Sequence, residues 1–265
     1  MSAVLATSAL AADSGFVAPG PSDFWQPLAG DGAFALTRPA VVLVLSVGAI
    51  LWFFVGVSRR LTVVPSRSQF AAEGVYGLVR NGLARDIIGS KDFLKFVPLL
   101  FTMFLMILVN NLSGVIPIIQ FPTFSRIGFP IALTLVVYIV YQTVAFRRKG
   151  FIGYLKSMVP PGLPRWIVPL MYVLEFMTYF INRPVSLALR LFGNMFAGHL
   201  LLLIFTLGGE YLLLHGSVPI RATGVLSFAF TIVMSFFEVL VEFLQAYVFT
   251  LLAALYIAGS LADEH

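Results

Sequence analysis

Two apolar runs, Trp166 to Leu207 and Thr223 to Gly259, each exceed the roughly 17–25 residues with which a helix crosses a bilayer, and both carry ionisable side chains far from their ends. Segments of this kind fold in lipid, and their excess length requires strong tilt or a bend. Glu175, Arg183, Arg190 and His199 lie on the first run, Glu238 and Glu242 on the second. Charges placed there are costly and by default mark a functional site. The whole chain agrees, since 59% of its 265 residues are hydrophobic and 11% charged, against about 25% charged in an average soluble domain.

The remaining apolar segments predict the layout. Ala40 to Val57 reads as a first crossing and is followed at once by Arg59, Arg60 and Arg67, which by the positive-inside rule places that end in the cytoplasm. From Ser68 to Lys95, Phe70, Val75, Leu78 and Leu83 alternate with Glu73, Arg80 and Arg85 at helical spacing, the pattern of a cytoplasmic interfacial helix. Phe96 to Ile119 then crosses outward. After a turn over Pro122 to Pro130, Ile131 to Phe146 returns to the basic cluster Arg147, Arg148 and Lys149, and Pro160, Pro161 and Pro164 punctuate the next connection. The expected fold is an all-α integral membrane protein with about five crossings, an outer amino terminus and a cytoplasmic carboxyl terminus. Residues 1–39, rich in Gly, Pro and Asp from Gly15 onward, read as an irregular extracytoplasmic lead-in, and residues 40–265 as the membrane-embedded domain. Met1 to Ala12 has the small residues of a cleavage site without a basic region before them.

Several function classes are excluded or disfavoured. With no cysteine there is no thiol redox chemistry and no cysteine-ligated metal. The net charge of +5 resides in short connections, where membrane orientation accounts for it and nucleic acid need not be invoked. There is no phosphate-binding Gly-x4-Gly-Lys-Ser/Thr loop, no His-Glu-x-x-His metal motif and no Gly-x-Ser-x-Gly elbow. No cofactor and no metal are expected. An ion-coupled secondary transporter is the rival reading, against which stands the lack of an internal repeat.

Arg190 stays charged at any physiological pH, so it cannot relay protons by titrating, but it can hold a passing carboxylate and release it on protonation. A structural ion pair with Glu175 is the alternative. Asn194 lies one turn after Arg190 on the same face. Glu238, Glu242 and Gln245 stand at i, i+4 and i+7, a polar stripe suited to line an aqueous path in which carboxylates accept and release protons. His199 can pair with them across the helices, as a proton-transfer partner or a structural salt bridge. Nine residues turn a helix by about half a revolution beyond two full turns, so Arg190 should face a partner while His199 faces the last helix. Gly193 and Gly198 are candidates for close helix packing.

The segment Arg183-Pro-Val-Ser-Leu-Ala-Leu-Arg190-Leu-Phe-Gly-Asn194-Met-Phe-Ala-Gly198-His199, together with Leu244-Gln245-Ala-Tyr247-Val-Phe-Thr-Leu, resembles the signature of the F-type ATP synthase subunit a family. The resemblance implies a proton-translocating stator of the Fo sector, its last two helices a tilted hairpin against a ring of c subunits. Arg190 would then be the coupling charge facing ring carboxylates. Asn194 and Gln245 match polar residues of the proton path, whose outer half-channel would run past His199, Glu238, Glu242 and Gln245 and whose inner one would open near Glu175. His199 and Glu238 match an interacting pair in exchanged order, while Ser113 and Gly114 stand where some relatives carry an acid. Implied partners are the c-ring, the b/b′ peripheral stalk, the F1 sector, membrane lipid and protons. The implied location is a bacterial plasma membrane or, alternatively, the inner membrane of an energy-transducing organelle.

Overall fold

The computed structural model describes residues 27–29, 36–116, 123–157, 164 and 166–262. Met1 to Ala12, Pro122, Pro160 and Pro161 lie outside the described residues. The described chain is helices joined by turns and short loops, apart from β1 (Pro27–Ala29) and β2 (Leu36–Thr37), a short antiparallel pair. Within the expected lead-in, the described residues are this pair and the start of the first helix at Arg38.

Among the described residues five helices are long and apolar enough to cross a membrane: Arg38–Ser58, Val97–Val115, Gly128–Gly150, Val168–His215 and Val218–Leu261. In chain order they give α1 (Arg38–Ser58) and, after a connecting region, α4 (Val97–Val115). Then come α5 (Gly128–Ser157), α6 (Val168–Met177), α7 (Arg183–His215) and α8 (Val218–Leu261). Proline occupies the first turn of α1, α4, α6, α7 and α8. Its fixed φ suits that position, and the N–H it lacks would have no partner there.

Between α1 and α4 the expected interfacial helix is broken into α2 (Arg67–Gly77), a π-helical stretch over Leu78–Arg85, α3 (Asp86–Ile88) and a 3₁₀ turn at Phe93–Lys95. It is only half a surface element. Phe70 and Leu78 are exposed, whereas Val79, Leu83, Ala84 and Phe93 are buried in the main core. The wider π turn rotates the helix so that its later apolar residues meet α4 and α8. Lys95 and Arg148 both reach Asp92, at 2.7 and 3.7 Å, tying this region to the end of α5.

The core sits where α4, α5, α8 and the early turns of α7 meet. On α4, Leu100, Phe104 and Ile107 recur at four- and three-residue steps, and on α8 Ala246, Phe249, Ala253 and Ile257 recur at steps of three, four and four. The alanines let the backbones approach closely, and in lipid such packing drives association. Both buried stripes change character toward one end of the bundle. The α8 stripe becomes Gln245, Glu242 and Glu238, while the α4 stripe becomes Asn110, Asn111, Ser113 and Gly114.

Helices α6 and α7 form one 48-residue path joined by the π turn Thr178–Asn182. At about 1.5 Å per residue it measures about 72 Å, more than twice a hydrocarbon core of about 30 Å. Tyr141 of α5 donates a hydrogen bond to the Tyr179 carbonyl in that turn at 3.0 Å, satisfying a backbone group in the irregular stretch. Arg183 stacks on Tyr179, 3.6 Å from the ring centroid, and lies 5.1 Å from that of Tyr256. After Gly216 and Ser217 the chain reverses into α8, which packs along α7 as a hairpin. Near the reversal the Ser227 hydroxyl donates to the Phe205 carbonyl at 2.7 Å.

Candidate functional site

The site forms where the polar end of the α8 stripe faces α7 and α4. Glu238, Glu242 and Gln245 are all buried, at 7%, 1% and 7% exposure, so the i, i+4, i+7 stripe points inward as its spacing predicts. His199 of α7 is equally enclosed, and its Nδ1 lies 2.9 Å from Glu238 Oε1. His199, Glu238 and Glu242 each bring a nitrogen or oxygen to within 4.8 Å of the others.

The other ring nitrogen determines the chemistry of this contact. His199 Nε2 is 2.9 Å from the Gly114 carbonyl oxygen of α4, an atom that only accepts, so Nε2 carries a proton and donates it. Nδ1 then meets a carboxylate oxygen, and the contact is attractive only when a proton sits between them, on the imidazole or on the acid. The pair is therefore a one-proton holder.

Two glycines make the arrangement possible by close approach. A Cβ on Gly114 would stand 2.5 Å from His199 Cε1, and one on Gly198 would stand 2.7 Å from Glu238 Oε1. The expected packing role thus holds for Gly198. At Gly193 a Cβ would meet nothing within 4 Å among the described residues of this chain.

Around the pair the polar atoms are sparsely matched. Asn111 donates weakly to the Glu242 carbonyl at 3.4 Å, and Asn110 is bonded to Ser46 of α1 at 2.9 Å. Both Glu242 carboxylate oxygens, Asn111 Oδ1 and Gln245 Nε2 are buried without a hydrogen-bond partner among the described residues. Such atoms are expensive to bury and call for water or a cation. Asn194 and Glu238 share a cleft of about 250 Å³ with Gly198 and Met234, so the α7 asparagine joins the site on its open side.

Arg190 stands elsewhere. It is exposed on the outer face of α7, in a stripe with Leu189, Ala197, Leu201 and Ile204, while His199 is buried against α8, the opposition that helical rotation predicts. Among the described residues neither Arg190 nor half-buried Glu175 forms an ion pair, and the alternative of an Arg190–Glu175 bridge is absent from this structure. Glu175 lies on α6, before the π turn, and does not join the cluster of His199, Glu238 and Glu242. Sequence reasoning marks Ser113 and Gly114 of α4 only as departures from the family pattern and misses the contact that α4 makes with His199. The adjacent Asn110 and Asn111 within an apolar helix were its available signal, but the Gly114 carbonyl carries no side-chain mark at all.

A family model described as ATP synthase A chain matches residues 40–258. The chain is 49% identical over 263 residues to ATP synthase subunit a of Nocardioides sp., covering 95% of each chain. It is 43% identical over 266 residues to ATP synthase subunit a of Pseudarthrobacter chlorophenolicus, covering 99% of this chain and all of that one. The corresponding protein of Streptomyces lividans is 40% identical over 257 residues, or 95% of this chain and 90% of that one.

Proposed function

Because the chain belongs to the ATP synthase A chain family, we propose that its buried proton-holding cluster and its exposed arginine are the two working parts of a rotary proton path. The coarse role follows from the family: a multi-pass protein of the bacterial cell membrane and the proton-translocating stator subunit of the Fo sector, assembled with the c-ring.

In the proposed mechanism the outer half-channel runs past Gln245, Glu242, Glu238, His199 and Asn194, and the inner one opens near Glu175. A ring carboxylate arrives deprotonated and is held by Arg190. It is protonated from the outer path, turns through lipid as a neutral acid and discharges inward, since a bare carboxylate in hydrocarbon is costly. Each charge delivers about 2.3 kcal/mol per 100 mV of membrane potential. The single observation that carries this reading is the division of labour on α7, with Arg190 exposed and in no ion pair among the described residues while His199 is buried against two carboxylates. Nucleotide chemistry belongs to the F1 sector, and the b/b′ stalk holds the chain against the turning ring. The amino terminus and the α7–α8 reversal face outward, the carboxyl terminus the cytoplasm.

The test is ATP-driven acidification of inverted membrane vesicles. Arg190→Ala, with assembly and ATP hydrolysis capacity verified, should abolish pumping. Unimpaired pumping in the assembled variant would sink the mechanism and favour the transporter reading.

A further inference from the structure

We propose that His199 Nδ1, Glu238 and Glu242 also form a binding site for a divalent transition-metal ion of zinc-like chemistry, which competes with protons for the cluster. Three features point to a cation beyond the mere proximity of acids. Glu242 is almost fully buried, yet neither of its carboxylate oxygens has a hydrogen-bond partner among the described residues. The donor set is one imidazole nitrogen and two carboxylates, with ligand atoms already within 4.8 Å of one another, a combination that suits zinc and leaves a fourth position for water. Finally, His199 donates its other ring nitrogen to the Gly114 backbone carbonyl. That is the supporting contact by which metal-ligating histidines are oriented and made more basic.

The ion would take the place of the proton held between Nδ1 and Oε1, so binding releases a proton and strengthens as pH rises. The two occupants are mutually exclusive. Bound metal would stop the histidine–carboxylate pair from cycling, and this inhibitory consequence rests on the proton-path reading above, whereas the binding itself does not.

The experiment is equilibrium dialysis of zinc against the purified assembled synthase, with metal measured by atomic emission, alongside ATP-driven proton uptake in vesicles. Wild type should bind one equivalent more than Glu242→Gln or His199→Gln, with affinity rising by about tenfold for each proton released per pH unit. His215→Gln, on an exposed histidine at the end of α7, should keep that equivalent. X-ray absorption of zinc-loaded wild type should show nitrogen and oxygen ligands at about 2.0–2.2 Å with a single imidazole. That measurement decides the matter even if a variant fails to assemble. Equal zinc stoichiometry in assembled Glu242→Gln, or a coordination shell with two or more imidazoles, would overturn the site. Zinc bound as described without slowing proton uptake would leave the metal site standing and overturn the proton-path reading.

Discussion

Gly198 and Gly114 hold the His199–Glu238 contact together from opposite sides, because each lies where a methyl group would strike one partner. Gly198→Ala should push the Glu238 carboxylate off His199 while leaving the helices packed, since the struck atom ends a flexible side chain. A displacement of about 1 Å can cost about a hundredfold in a positioned reaction. Proton uptake by vesicles should therefore fall toward that extent at unchanged assembly, and wild-type uptake would contradict the geometry. Glu238→Gln keeps the shape but removes the exchangeable acid. A loss of about 10²-fold or more is expected in the same assay, the scale of a positioned acid–base group. Arg190, His199, Glu238, Glu242 and Gln245 could be found in the sequence because buried charge in apolar helices is rare and their spacing fixes their faces. Gly114 could not, because its contribution is a backbone oxygen delivered by the packing of α4, and nothing in residue type announces it.

The elements show a similar division. Helix number and order followed from apolar length and the placement of arginines, and the two long helices follow the two runs that were too long for one crossing. What periodicity did not reveal was where helices change pitch. Leu78–Arg85 forms a π turn with no proline to mark it, whereas Thr178–Asn182 runs into Pro184, whose missing N–H leaves a carbonyl of the turn for Tyr141 to satisfy. Tyr141→Phe removes the donor to the Tyr179 carbonyl and should destabilise the purified protein by about 1–3 kcal/mol, the cost of leaving a buried acceptor unpaired. A lowered thermal midpoint in detergent checks this. Gly150 is the other bend, with φ 69° and ψ 169° inside the α5 assignment. This region of backbone space is essentially reserved for glycine, so Gly150→Ala should cost about 1–3 kcal/mol by the same measurement.

At the scale of the whole molecule, the proposed orientation makes a prediction that the cysteine-free sequence renders clean to test. Ser68, exposed near the start of α2, and Ser217, exposed at the α7–α8 reversal and making no side-chain cap, belong on opposite sides of the membrane. A membrane-impermeant maleimide should label Ser68→Cys in inverted vesicles and Ser217→Cys in right-side-out ones. The reverse pattern would invert the proposed topology.

The outer face of α7 around Arg190 is built of Leu189, Ala197, Leu201 and Ile204, and the exposed Ser186 beside it directs its hydroxyl to the Asn182 carbonyl of its own helix. Hydrocarbon offers no directional bonds, so a rotor gliding over this surface meets almost the same energy at every angle. The guanidinium, with the Asn194 amide one turn on, breaks that smoothness. In the proposed machine this makes the interface a low-friction bearing with a single detent, and a second fixed charge or a free hydroxyl added to the stripe should act as drag, lowering turnover without touching any proton-carrying group.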